Sequence, residues 1–124
     1  MAHILVIDDN EDIVGLIKKL LTKEGHIVTS APDGQLGLVA TKRDRPDLVV
    51  LDLNLPKMHG HDVCKDIKSD PTTQKIPVVM LTAAYTTPED AKHGLNLGAD
   101  EYVVKPFMHV PFLATINRLL SGES

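Results

Sequence analysis

Two short apolar runs in this chain end directly in carboxylates, and that junction restricts the fold more than any other feature. His3-Ile4-Leu5-Val6-Ile7 leads into Asp8-Asp9, and Leu48-Val49-Val50-Leu51 leads into Asp52. An unbroken apolar run of this length reads as a strand covered on both faces, as in a parallel sheet. Ligands of such sheets bind beyond the carboxyl ends of the strands. If these two strands are neighbours, three carboxylates meet at one edge. Three like charges at that range repel one another, so the cluster implies a hard divalent metal such as Mg2+.

The rest of the chain supplies the other parts of such a sheet. Strands are expected at His3 to Ile7, Ile27 to Ser30, Leu48 to Asp52, Val78 to Leu81 and Glu101 to Val104. Ile13, Leu16, Ile17, Leu20 and Leu21 recur at helical spacing, with Gly25 as the stop. Leu36, Val39 and Ala40 mark a second helix capped by Asp33, and Val63, Cys64 and Ile67 a third after Gly60. A fourth is expected after Thr87-Pro88, with Ala91 and Leu95 as anchors. Its interior Gly94 costs roughly 1 kcal/mol relative to alanine, which makes it a candidate moving part. A fifth is expected from near Pro111, using Phe112, Ile116, Leu119 and Leu120. Alternating strands and helices with right-handed crossovers give an α/β fold, a doubly wound five-stranded parallel sheet with helices on both faces.

The chain has 124 residues, which fits one domain spanning 1–124 and leaves no room for an output domain. Its net charge of −4 carries no footprint for nucleic acid or an anionic membrane surface. No apolar stretch is long enough to span a bilayer, and no signal peptide opens the chain. The single cysteine, Cys64, excludes an internal disulfide and points to a reducing cytoplasm. It shares a helical face with Val63 and Ile67, so it is read as core. His59 and His61 flank Gly60 and are read as solvated loop residues.

Four of the five strand ends bring distinct chemistry to one rim. The first supplies Asp8 and Asp9, the third Asp52 followed by Asn54, the fourth Thr82, and the fifth Lys105 followed by Pro106. Carboxylates around a metal, a hydroxyl and an ammonium suit a phosphoryl group, whose oxygens they neutralise and hydrogen-bond. A central carboxylate can itself be the nucleophile and become an aspartyl phosphate.

These residues, with Asp33-Gly34, Leu53-Asn54-Leu55-Pro56, Gly60, Ile76-Pro77, Thr82-Ala83, Gly98-Ala99-Asp100, Tyr102 and Lys105-Pro106-Phe107, resemble in order the receiver domain of two-component response regulators. The resemblance runs from Ile4 to Leu120. It implies a CheY-like, flavodoxin-like fold with strand order 2-1-3-4-5. It implies that Asp52 is the phosphoacceptor, and that Asp8, Asp9, Asp52 and the backbone carbonyl of Asn54 hold Mg2+, with Mn2+ as the alternative ion. Thr82 and Lys105 would contact phosphoryl oxygens, and the Lys105–Pro106 bond would be cis. Tyr102 would be the switch aromatic, moving with Thr82 to change the face built from the fourth helix, fifth strand and fifth helix.

The implied donor is a phosphohistidine on a sensor histidine kinase or a histidine phosphotransfer protein. The implied product is a signal read by a downstream effector, with the chain a monomer or a weak homodimer through the same face. It would be a signalling domain rather than an enzyme, though it would catalyse its own phosphorylation and slow dephosphorylation. His59 stands where the family often has aspartate, and Ala84 is a small apolar group at a position that tunes dephosphorylation. One alternative is a phosphatase of the haloacid dehalogenase type, which also uses an aspartate nucleophile, Mg2+ and a lysine. It requires a second aspartate two residues after the first, where this chain has Asn54. Another is a pseudo-receiver that binds partners without phosphorylation, against which the intact set of site residues argues.

Overall fold

The structure is a computed structural model that describes residues 2–53, 55, 57–83 and 98–122. In chain order its elements are β1 (His3–Ile7), α1 (Glu11–Lys23), β2 (Ile27–Ala31), α2 (Gly34–Asp44), β3 (Leu48–Asp52), α3 (Gly60–Ser69), β4 (Val78–Ala83), β5 (Glu101–Lys105) and α4 (His109–Leu120). The fourth helix expected from sequence falls at residues 87–97, outside the described residues. The five strands form one parallel sheet in the order β2-β1-β3-β4-β5. Three strands run one or two residues further at their carboxyl ends than the apolar runs indicated, so Thr82 and Lys105 belong to the ladder itself.

Alternation along the strands explains why the runs are apolar without a break. Ile4 and Val6, Leu48 and Val50, and Val79 and Leu81 pack with Ile17 and Leu21 of α1 and Phe112 and Ile116 of α4. Leu5 and Ile7, Val49 and Leu51, and Val78 and Met80 pack on the opposite face with Ala40 of α2 and Val63, Cys64 and Ile67 of α3. Successive side chains of a strand point to opposite faces, so a strand with helices above and below carries no polar position. Each fully buried Leu or Ile contributes about 1.5–3 kcal/mol. Cys64 is part of this core; burial pushes its thiol up to about 11. It therefore stays protonated and inert.

The helices are set by local chemistry. Asn10 caps α1, its side-chain oxygen accepting from Asp12 N and Ile13 N at 2.9 and 3.2 Å. Gly25, at φ 90°, turns the chain after the helix. Asp33 caps α2 by accepting from Leu36 N at 2.8 Å, as its position in the sequence suggested. The apolar markers of α2 behave differently from expectation. Leu36 and Val39 are 52% and 56% exposed, whereas Gly34, Gly37, Ala40 and Thr41 are buried. The helix sits so close to β1 that a methyl on Gly37 would meet Ile7 side-chain atoms at 2.5–2.8 Å. Only small residues fit that seam; Leu36 and Val39 turn outward, and Leu38 packs partly buried against the core beside it.

The last helix begins at His109, with Pro111 in its first turn, where a missing N–H breaks no helical bond, in keeping with a start near Pro111. One further reading is corrected. His59 and His61 are not both loop residues. His59 caps α3, its Nδ1 accepting from His61 N at 3.2 Å, and His61 is a half-buried residue of the first turn.

Gly15 lies in the interior of α1, and a methyl there would touch nothing within 4 Å. Glycine in a helix interior costs about 0.5–1 kcal/mol relative to alanine. Gly15→Ala is therefore expected to raise the unfolding free energy by about that amount, read from the denaturant midpoint. A fall would show that the exposed side of α1 is packed.

Candidate functional site

Register brings the site together. Ile7 pairs with Leu51, so Asp8 and Asp52, next along each strand, lie side by side beyond the last pair. They also share a face. Asp8 continues the row of Ile4 and Val6, and Asp52 the row of Leu48 and Val50, both on the side of α1 and α4. Lys105 follows Val103 in the same sense on β5, and Val103 packs against that side. Three side chains from three strands thus converge above one half of the core.

The geometry is tight. Carboxylate oxygens of Asp8, Asp9 and Asp52 lie within 4.8 Å of one another. Lys105 Nζ stands 3.3 Å from Asp8 Oδ2 and 3.3 Å from Asp52 Oδ1. Asp8 and Asp52 are buried and Asp9 is exposed, so the cluster reaches solvent at Asp9. Three carboxylates against one ammonium leave an excess of negative charge among oxygen donors. That donor set fits a hard divalent cation. Asn10 N donates to Asp8 Oδ1 at 2.9 Å, which orients the carboxylate while the Asn10 side chain caps α1.

Thr82 is buried at the end of β4, one residue past Leu81, the partner of Asp52. Tyr102 pairs with Met80 and is partly buried against the cluster on the α2 and α3 side. The Lys105–Pro106 peptide bond is cis. Asn54 lies outside the described residues.

Two contributors were not singled out in the sequence. Asn10 was signalled by its position just before the helical periodicity of α1, where a cap belongs. Lys57 carried no signal. It holds φ 66° in the loop after β3, and its Nζ lies 3.7 Å from Asp33 Oδ2.

Comparison with known proteins agrees with this arrangement. Residues 4–117 match the family model for the response regulator receiver domain. The chain is 42% identical over 118 residues to the response regulator PleD of Caulobacter vibrioides, covering 95% of the chain and 26% of that protein. It is 41% identical over 120 residues to the DNA-binding dual master transcriptional regulator RpaA of Synechocystis, covering 97% of the chain and 49% of that protein. The chain thus spans half or less of these relatives. The structure is similar to that of chemotaxis protein CheY4 of Vibrio cholerae, with a TM-score of 0.87, 31% identity, and coverage of 95% of this chain and 98% of that one. Receiver domains generally bind Mg2+ at an acidic cluster, and phosphorylation-dependent signalling is their general function. The chain belongs to the response regulator receiver domain family of two-component systems.

Proposed function

We propose that Asp52 accepts a phosphoryl group from a phosphohistidine on a sensor histidine kinase or histidine phosphotransfer protein. The observation that carries this reading is the convergence of Asp8, Asp9 and Asp52 within 4.8 Å, with Lys105 Nζ 3.3 Å from two of them. A carboxylate oxygen of Asp52 forms a bond to phosphorus as the bond from phosphorus to the imidazole nitrogen breaks. The electron pair leaves on that nitrogen. Asp8, Asp9, Asp52 and the backbone carbonyl of Asn54 would hold Mg2+, or Mn2+ in its place, and the bound ion supplies charge neutralisation for the phosphoryl oxygens.

Lys105 pairs with a phosphoryl oxygen once Asp52 is esterified, and the Thr82 hydroxyl donates to another. Tyr102 follows Thr82, and the face read by the effector is built from the helix expected after Thr87-Pro88, β5 and α4. Val104, Met108 and Val110 on that face are half or more exposed, as a partner surface requires. Residues 1–124 act as one signalling module in the cytoplasm, without contacting nucleic acid or membrane, as a monomer or weak homodimer. Among the described residues no helix is long and apolar enough to cross a membrane.

The test is intact mass after incubation with acetyl phosphate, with Mg2+ or with a chelator. A gain of one phosphoryl group in Mg2+ that is absent with the chelator is expected. A gain of equal rate and extent under chelation would overturn the metal assignment. Absence of both Mg2+ binding and a gain would leave the pseudo-receiver.

A further inference from the structure

The loop between β3 and α3 leaves the site directly after Asp52, and the described residues show it clamped at two places. At its base Gly60 N donates to Leu53 O at 2.9 Å. At its flank the start of α2 is pressed against it. A methyl on Gly34 would collide with the Met58 carbonyl oxygen and lie 2.7 Å from Met58 Cβ and 2.9 Å from Val63 Cγ2.

Asp33 and Lys57 join the same two segments through charge. The Asp33 side chain is only 7% exposed. One of its oxygens accepts from Leu36 N at 2.8 Å and the other lies 3.7 Å from Lys57 Nζ. The buried carboxylate thus divides its oxygens between capping α2 and holding the loop. Lys57 reaches it from a left-handed backbone conformation, φ 66°, where glycine would sit without strain.

Stability does not account for a lysine there. Its side chain is 64% exposed, and pairs that reach solvent contribute little to folding. Electrostatics does not account for it either, because a cation on this rim repels an incoming metal. What remains is position. We propose that Asp33 and Lys57 are a positioning pair that fixes the described flank of the β3–α3 loop, and with it the end of β3 that carries the proposed ligand Asp52, for cation binding. This inference rests on the metal site proposed above.

The sign of one substitution separates position from charge. Lys57→Met removes a positive charge from the rim, so Coulomb's law alone gives tighter Mg2+ binding; loss of positioning gives weaker binding. We expect weaker binding by about tenfold, the lower range for partners that orient metal ligands. Asp33→Asn keeps a competent cap for α2 but loses the charge. It is expected to weaken Mg2+ to a similar degree, with no further loss in the double variant and recovery in Lys57→Arg.

The measurement is Mg2+ titration of the full chain by calorimetry, with thermal midpoints alongside. Midpoints within a few degrees of wild type are expected. Unchanged or tighter binding in Lys57→Met, or additive losses in the double variant, would overturn the pair and leave the metal site standing. Failure of the wild type to bind Mg2+ would overturn both.

Discussion

Asp52→Asn is expected to fold as the wild type does and to take up no phosphoryl group. The carboxamide matches the carboxylate in shape but is not a nucleophile, and no neighbour substitutes for it. Asp8 points at the same Lys105 ammonium yet sits one strand away, with its Oδ1 held by Asn10 N. The strand pairing of Asp52 with Leu81 is made by backbone and does not change. Without metal the variant is expected to be no less stable than wild type. Unit charges about 4 Å apart interact by about 4 kcal/mol at an effective dielectric of 20. Neutralising Asp52 removes its repulsion from two carboxylates and loses its attraction to one ammonium, and Lys105 keeps Asp8 at 3.3 Å. The stabilisation conferred by Mg2+ should shrink at the same time, because binding to the folded state alone raises stability with the logarithm of the affinity. Intact mass and thermal midpoints with and without Mg2+ read all three effects. Wild-type labelling in the variant would sink the assignment of the phosphoacceptor.

The sheet was legible because burial on both faces leaves an unmistakable trace. Leu48 to Leu51 and Val78 to Leu81 have no polar residue to break the run, and each carboxylate or hydroxyl that follows marks the rim. Once the strands were ordered, Asp8, Asp52 and Lys105 had to meet, since each continues an inward row of the same face. α1 and the final helix were legible for the related reason that their large apolar residues are the ones that pack. α2 was not. Its contact with β1 runs through Gly37 and Ala40, and small residues leave no amphipathic signal, while Leu36 and Val39 at helical spacing point outward. The role of Lys57 was hidden for a different reason. A left-handed lysine pairing with a helix cap depends on where two segments separated in sequence come to lie. Local pattern reports periodicity and caps; it does not report how closely two elements approach.

That distinction gives opposite signs to one substitution at two glycines. Gly60 opens α3, and its φ is not in the left-handed region where Gly25 and Gly98 lie, so conformational freedom is not its reason for being there. By propensity alone Gly60→Ala should stabilise the helix, as Gly15→Ala does in α1. The surroundings reverse this. A methyl on Gly60 would lie 2.5 Å from Asp52 O, 2.7 Å from Leu53 Cα and 2.8 Å from Leu53 O. These are backbone atoms at the end of β3, held in the sheet by Leu53 N donating to Leu81 O at 2.8 Å, and they do not swing aside as a side chain tip would. Either α3 lifts away from Val63 and Ile67 inward contacts, or the end of β3 shifts and carries Asp52 with it. Overpacking of this kind costs about 1–3 kcal/mol, so a loss of about 2 kcal/mol is expected in denaturant unfolding. Displacement of a reacting group by about 1 Å can cost on the order of a hundredfold in rate, so phosphorylation by acetyl phosphate should slow by at least about tenfold even where the variant is fully folded. A neutral or stabilising result would show that α3 does not rest on the Asp52 backbone. Loss of stability with an unchanged phosphorylation rate would show that α3 yields instead of β3, leaving the phosphoacceptor where it was.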